Sequence, residues 1–177
     1  MVPDFALRIQ SMIRSLEDVV LPAIPDDRKL ALDQARIILG NLRLMADQHD
    51  KTFRYELVEL REYARLVANL VAVAQGGSAT KTAVEQAKAS LLAAGPVVEL
   101  SIPRQHELSA FVKSLKSVAD ALVRGAHEDG AASFRQAAAS LVMCQSQDQI
   151  ARERRWFRAA GFELEPDTLP TLDEILR

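Results

Sequence analysis

Residues 26–75 read DDRKLALDQARIILGNLRLMADQHDKTFRYELVELREYARLVANLVAVAQ, a run without proline and with one glycine, Gly40. Apolar or small residues recur through it at Ala31, Ala35, Ile38, Leu42 and Met45, then at Phe53, Leu57, Leu60, Ala64, Val67 and Val71. Steps of three and four are those of a helix that buries one stripe. Unbroken, the run would span about 75 Å at 1.5 Å per residue, more than a monomer of this size usually holds. It must therefore either kink near Asp50-Lys51-Thr52 or protrude into a partner. Where the stripe crosses that point it turns polar, at His49, Thr52 and Glu56.

The flanks repeat the helical theme. Asp4 after Pro3 suits an N-cap, and the helix it opens has an apolar face of Phe5, Ile9, Met12, Leu16 and Val19 or Val20. Pro22-Ala23-Ile24-Pro25 stops it, because proline cannot continue a helix. Asp26 and Asp27 are expected to cap the long run, which Gly76-Gly77 ends. A short helix should follow, capped by Ser78 or Thr80, ended by Gly95-Pro96 and joined by an apolar linker, Val97 to Ile102, to a helix with Pro103 in its first turn. Leu108, Phe111, Val112, Leu115, Val118, Ala119 and Leu122 give that helix a clean stripe, and His127-Glu128-Asp129-Gly130 reads as a turn. The last long helix is expected from about Ala131 to Ala160, with Gly161 as a left-handed cap. Phe162 to Pro170 reads as loop, and Thr171 with Glu174 forms a capping box for a final short helix. A weak echo between residues 86–92, QAKASLL, and 136–142, QAAASLV, is what two alanine-rich amphipathic helices share by chance.

Composition excludes several classes. At 177 residues, with 49% apolar and 26% charged residues, the chain can bury a core without metals or disulfides. Aromatics are 5%, so Leu, Val, Ile and Ala must build that core. A net charge of −2 offers no general attraction to nucleic acid or anionic lipid. The longest nearly apolar run, Leu66 to Ala74, is far short of the roughly 20 residues of a membrane span. Arg8, Gln10 and Arg14 interrupt any signal-peptide core, and the single cysteine, Cys144, cannot form an internal disulfide. The expectation is a cytoplasmic protein that binds neither nucleic acid nor membrane.

Chemistry has one candidate location. The last helix carries Phe134, Ala138 and Leu141 on one line, continues it through Gln145, Asp148 and Arg152, and returns to apolar at Trp156. Packed antiparallel to the long run, it would set Gln145, Asp148 and Arg152 level with His49, Thr52 and Glu56. Such a layer is a bonded network or a ligand site, with His49 or Glu56 as acid–base group and Arg152 as anion clamp. The plainer alternative is a drift of the stripe, since 3.6 residues per turn slips against a seven-residue spacing. Val142, Ile150 and Phe157 would then meet the core and the polar residues would face water. A helix break near Thr52 would likewise expose His49.

Other residues point to structure. No Glu-x-x-His pair exists, and His49 and Glu56 lie about 10 Å apart by helical rise, so no metal is expected. Cys144, in mid-helix, reads as a buried and inert thiol. Glu56, Glu59 and Glu62 with Arg54, Arg61 and Arg65 read as a solvated charge ladder. Arg152, Arg154, Arg155 and Arg158 read as neutralising the negative end of their helix, with anion binding as the alternative. No phosphate loop, zinc spacing or nucleophile elbow is present, and no cofactor is implied.

These readings converge on an all-α protein, residues 1–177 as a single domain. Its expected form is an antiparallel up-and-down bundle of four to five main helices plus a short C-terminal helix. The expected oligomer is a homodimer, because the long run exceeds what the remaining helices cover. The expected function is non-enzymatic: an interaction or accessory protein that binds a protein partner or itself. A small-molecule binder or enzyme using His49, Glu56, Asp148 and Arg152 is the alternative. The ligand-binding half of a regulator is a weaker third, since no recognition-helix unit supports DNA contact.

Overall fold

Alanine, leucine and long charged residues favour helix, and glycine and proline gather between the periodic segments, so the chain folds into helices. A computed structural model describes residues 4–99, 105–161 and 163–176. Its helices are α1 (Phe5–Ser15), α2 (Lys29–Gln48), α3 (Thr52–Val73), α4 (Ser78–Glu99), α5 (Gln105–Glu128), α6 (Ala132–Trp156) and the short α7 (Leu172–Ile175). The protein is all-α, and among the described residues β pairing is confined to an isolated bridge between Gly76 and Gly130. No helix among them is long and apolar enough to cross a membrane. The chain divides into two compact units, Met1–Thr52 with Ala151–Ile175, and Phe53–Ile150 with Leu176–Arg177. The second division point falls inside α6, where the sequence gives no sign of a boundary.

The long run is two helices. Between α2 and α3 lies a turn at 49–51, at the polar interruption of the stripe. The expected dimer therefore loses the support it drew from an overlong helix. Asp26 and Asp27 do not cap α2: Arg28 is its N-cap, without a side-chain cap bond. After Pro25 the chain makes a separate turn, closed by Arg28 N–H on the Pro25 carbonyl at 2.9 Å.

In the first unit, α1 continues into a wide π turn, Leu16–Val20, and a last turn, Leu21–Ala23. Pro22 has no N–H for the Asp18 carbonyl, and the helix widens where that bond is missing. Ile24 is extended, the conformation favoured before Pro25. α1 packs antiparallel on α2: Phe5 lies against His49 with ring centroids 5.4 Å apart, and Glu17 pairs with Arg43. Ile9, Ile13 and Leu39 form their buried seam. The last long helix stops at Trp156, short of the expected Ala160, and Gly161, with φ +84°, is the left-handed cap of the 3-10 turn that follows, Arg158–Ala160. The Thr171–Glu174 capping box is reciprocal: Thr171 N–H donates to Glu174 Oε2 at 2.6 Å, and Glu174 N–H donates to Thr171 Oγ1 at 3.3 Å.

The second unit has the deeper core. Leu60, Val67, Leu70, Leu108, Leu115, Leu122 and Phe134 are fully buried, and each contributes about 1.5–3 kcal/mol by leaving water. α4 and α5 run antiparallel, since Ser90 meets Ser114 and Thr80 meets Gly125. Buried Ala83, Ala87, Ala119 and Ala126 keep them close. α4 does not stop at Gly95-Pro96 but runs to Glu99. Pro96 withholds a single donor, the one for Leu92, and Leu92 is exposed, so one lost bond does not end the helix. The expected linker is thus helical through Glu99, while its residues 100–102 and Pro103 lie outside the described residues. The turn after α5 is shorter than expected, because His127 and Glu128 remain helical.

Two inter-helix turns of this unit are tied together. Gly77 N–H donates to the Asp129 carbonyl at 3.2 Å, and Ala131 N–H to the Gln75 carbonyl at 2.8 Å. A Cβ on Gly130 would stand 2.5 Å from the Ala126 carbonyl oxygen, and one on Gly76 would meet Thr80 and the Gly130 backbone, so both crossings need glycine. Asp129, not Ser78 or Thr80, caps α4. Its carboxylate accepts Ala79 N–H at 2.7 Å, Thr80 N–H at 3.0 Å and the Thr80 hydroxyl at 2.7 Å. Led by the Thr80 hydroxyl, these bonds hold the Asp129 carboxyl below the usual carboxylate range.

Candidate functional site

α3 places carboxylates three residues apart at 56, 59 and 62, which fans them around the helix toward different neighbours. The expected solvated ladder is half wrong, because its acidic members turn inward. Glu59 is 9% exposed and takes an ion pair from Lys116 of α5 at 2.7 Å. Burial alone would lower the Lys116 pKa, but the hydrogen bond and charge of Glu59 outweigh it and raise it. The Lys116 ammonium also lies 5.1 Å from the Tyr63 ring centre, a cation–π contact. Glu56 accepts the Ser109 hydroxyl at 3.0 Å, and Glu62 accepts the Gln145 amide at 3.1 Å. The Tyr63 hydroxyl donates to Gln149 at 2.9 Å. Arg61 and Arg65 remain exposed. The second unit thus holds a polar layer joining α3 to α5 and α6. Within it, Glu56 Oε2 is buried with no hydrogen-bond partner among the described residues.

The six residues singled out in the sequence divide between the units. His49, Thr52 and Arg152 belong to the first, and Glu56, Gln145 and Asp148 to the second. His49 is exposed, as a helix break predicts, with Nδ1 3.1 Å from the Ala46 carbonyl. Thr52 donates its hydroxyl to the Gln48 carbonyl at 3.1 Å. Arg152 is buried, 3% exposed, so the stripe continues to it and on to buried Trp156. Gln145 is half-buried, but Asp148 faces solvent and Gln149 takes the inward place. The stripe steps 145, 149, 152, 156, and a one-residue slip separates Asp148 from it. Ile150 and Phe157, which the drift alternative would bury, are exposed.

The arginine cluster is engaged with the chain's own carboxylates. Arg154 holds Glu163 with two bonds, 3.0 and 2.6 Å, which raise the arginine pKa and lower the glutamate's. Arg158 reaches Asp167 at 3.1 Å and Arg155 lies 3.9 Å from Asp47. Gln48 donates its amide to the Trp156 carbonyl at 2.6 Å, a contact that residue spacing could not reveal. Cys144 is exposed, not buried as its mid-helix place suggested, because the inward-facing stripe passes along Leu141 and Gln145 beside it. Among the described residues, no three His, Cys, Asp or Glu side chains are grouped to hold a metal ion.

The first unit differs in what it exposes. Phe5 and Met12 on α1, Val19 in the π turn after it, and Leu30, Ile37, Ile38 and Met45 on α2 stand in solvent. Phe5, Arg8, Ile9, Met12 and Met45 line a groove of about 680 Å³. Compared with protein-family models, curated proteins and solved structures, the chain matches none.

Proposed function

We propose that this chain is a non-enzymatic, cytoplasmic helical interaction protein that works by binding a protein partner or itself. The exposed apolar side chains of α1 and α2 carry the reading, since a run of large apolar residues left in water marks a contact surface. The polar residues add support. Most of those in the second unit's layer are bonded to one another across helices, the arrangement of a structural network. A net charge of −2 supports a partner that is neither nucleic acid nor an anionic membrane.

One observation favours a second reading, a small-molecule binder or enzyme whose site includes Glu56 of the second unit: its buried Oε2, without a hydrogen-bond partner among the described residues, is an acceptor that a ligand donor would complete. A native mass spectrum of gently purified, untagged protein separates the two. The interaction reading expects bare polypeptide masses, singly or in multiples. An added mass of small-molecule size, lost on Glu56→Gln while the circular dichroism stays unchanged, would replace that reading with the second.

A further inference from the structure

We infer that residues 163–170 are a displaceable strap, whose carboxylates occupy Arg154 and Arg158 in place of an acidic peptide segment of a protein partner. The inference deepens the interaction reading above, by naming the chemistry of the partner, and rests on it.

Beyond Trp156 the chain makes its 3-10 turn, and left-handed Gly161 returns it toward the end of α6. Glu163 then accepts Nε and Nη2 of Arg154 at 3.0 and 2.6 Å, and Asp167 accepts Nη2 of Arg158 at 3.1 Å. The two arginines are four residues apart and so are the two carboxylates, so the pair of cations reads a spacing as well as a charge. Among the described residues, these are the hydrogen-bonded ties of residues 163–170 to the rest of their unit. The segment's other bonds are internal, such as Thr168 N–H to the Glu165 carbonyl at 3.2 Å and Glu165 N–H to Glu163 Oε1 at 3.4 Å.

That hold is light. Exposed ion pairs contribute little, because water and salt compete for both charges. The Asp167 side chain is 94% exposed. Leu164, between the two carboxylates, is 95% exposed and anchors nothing. Pro166 and Leu169 are half-buried, and firm burial starts only at Leu172. Beside the Arg154–Glu163 pair lies a groove of about 390 Å³, lined also by Leu44, Phe157 and Ala160, with Phe157 half in solvent. The strap thus meets the charges of this place and leaves its apolar part open. A partner segment with the same two carboxylates and a large apolar side chain makes the contacts of the strap and one more. That surplus is needed, because the strap competes from within the same chain at high effective concentration. A small anion such as phosphate would meet the arginines without entering the groove, so the whole site fits a peptide.

The probes are short fluorescent peptides with Glu and Asp at the spacing of Glu163 and Asp167, and Leu, Phe or Trp at one position beside or between them. Anisotropy reads their binding to three full-length chains: the natural sequence, Glu163→Gln/Asp167→Asn, and that variant with Arg154→Gln/Arg158→Gln added. The best peptide should bind the strap-neutral chain about tenfold tighter than the natural one, where the strap competes, and should lose binding when both arginines are gone. In the natural chain an excess of that peptide should raise hydrogen exchange in residues 163–170, a readout that needs no substitution. No binding to a strap-neutral chain of unchanged circular dichroism overturns the site, and the interaction reading then stands on the α1 and α2 side chains alone. Equal binding to the natural and strap-neutral chains, with exchange unchanged, overturns the strap as a competitor. Equal binding of peptides whose two carboxylates are adjacent, or equal release of the strap by inorganic phosphate, reduces the site to a general anion patch and overturns the peptide claim. Should the double variant fail to fold, the exchange result on the natural chain decides.

Discussion

The two units spend similar apolar residues in different ways. In the second, Leu60, Leu70, Leu108, Leu115, Leu122 and Phe134 are enclosed because α3, α4, α5 and the first part of α6 all contribute to one core. In the first, the clustered core is Ile9, Ile13 and Leu39, and residues of the same kind, Leu30, Ile37 and Ile38, stand in solvent. The sequence patterns are equally helical. What differs is the number of layers: a stripe is buried only where another element faces it. Amphipathic periodicity therefore identifies a face that wants cover, and the fold decides whether the same chain provides it.

Removing core volume tests that contrast most strongly. Phe134→Ala should cost about 4 kcal/mol, and Ile9→Ala about 2 kcal/mol because a thin core collapses more easily onto the gap. Urea unfolding followed by circular dichroism reads the first, and the fluorescence of Trp156, the only tryptophan and a first-unit residue, reads the second. Equal losses would mean that the first unit is as well filled as the second. Next in size is Gly130→Ala, which forces Cβ against the Ala126 backbone and should cost about 1–3 kcal/mol, seen as a lowered Tm. An unchanged Tm would show that the glycine crossing is not tight.

Smaller is the polar layer. Lys116→Met leaves the Glu59 carboxylate inside without its cation; with Lys116 partly in water, a loss of about 1 kcal/mol is expected. Adding Glu59→Leu should recover most of that loss, and failure to recover would mean that Lys116 acts through its chain packing instead. The smallest effect is that of Asp129. Its folded pKa is depressed, so its stabilisation is present above the unfolded carboxylate value, near pH 4, and is lost as pH falls through the folded value. Asp129→Asn should therefore lower Tm at pH 7 and show a shallower fall below pH 4. Parallel curves for the two proteins would remove Asp129 from the acid response.

Local features were legible in the sequence. The Thr171–Glu174 box and the left-handed Gly161 need only residues within a few positions; the box stands as read, and Gly161 is left-handed as read but closes a 3-10 turn instead of the long helix. The stripe of α5, Leu108 to Leu122, is visible because a regular helix repeats its face without outside help. Features set by distant partners were not. Nothing near Glu59 announces Lys116, 57 residues on, so its carboxylate looked solvated. Asp26 and Asp27 look like caps, but the turn after Pro25 delays the helix past them. In the candidate site, the stripe led correctly to buried Arg152 and half-buried Gln145, and missed by one at Asp148, where a step of four replaced one of three.

The Asp129 cap has a consequence for the order of assembly. The opening amides of α4 find their acceptor in a residue that follows them by about fifty positions. As the chain leaves the ribosome, residues 78–99 emerge well before that carboxylate exists. Most of a helix's stability in a protein comes from the packing of its apolar face, and this one begins with its donors unmet. Its start becomes fixed only when the turn after α5 folds back beside it. The first turn of α4 is thus a late event of folding, and synthesis that stopped short of Asp129 would leave that end frayed.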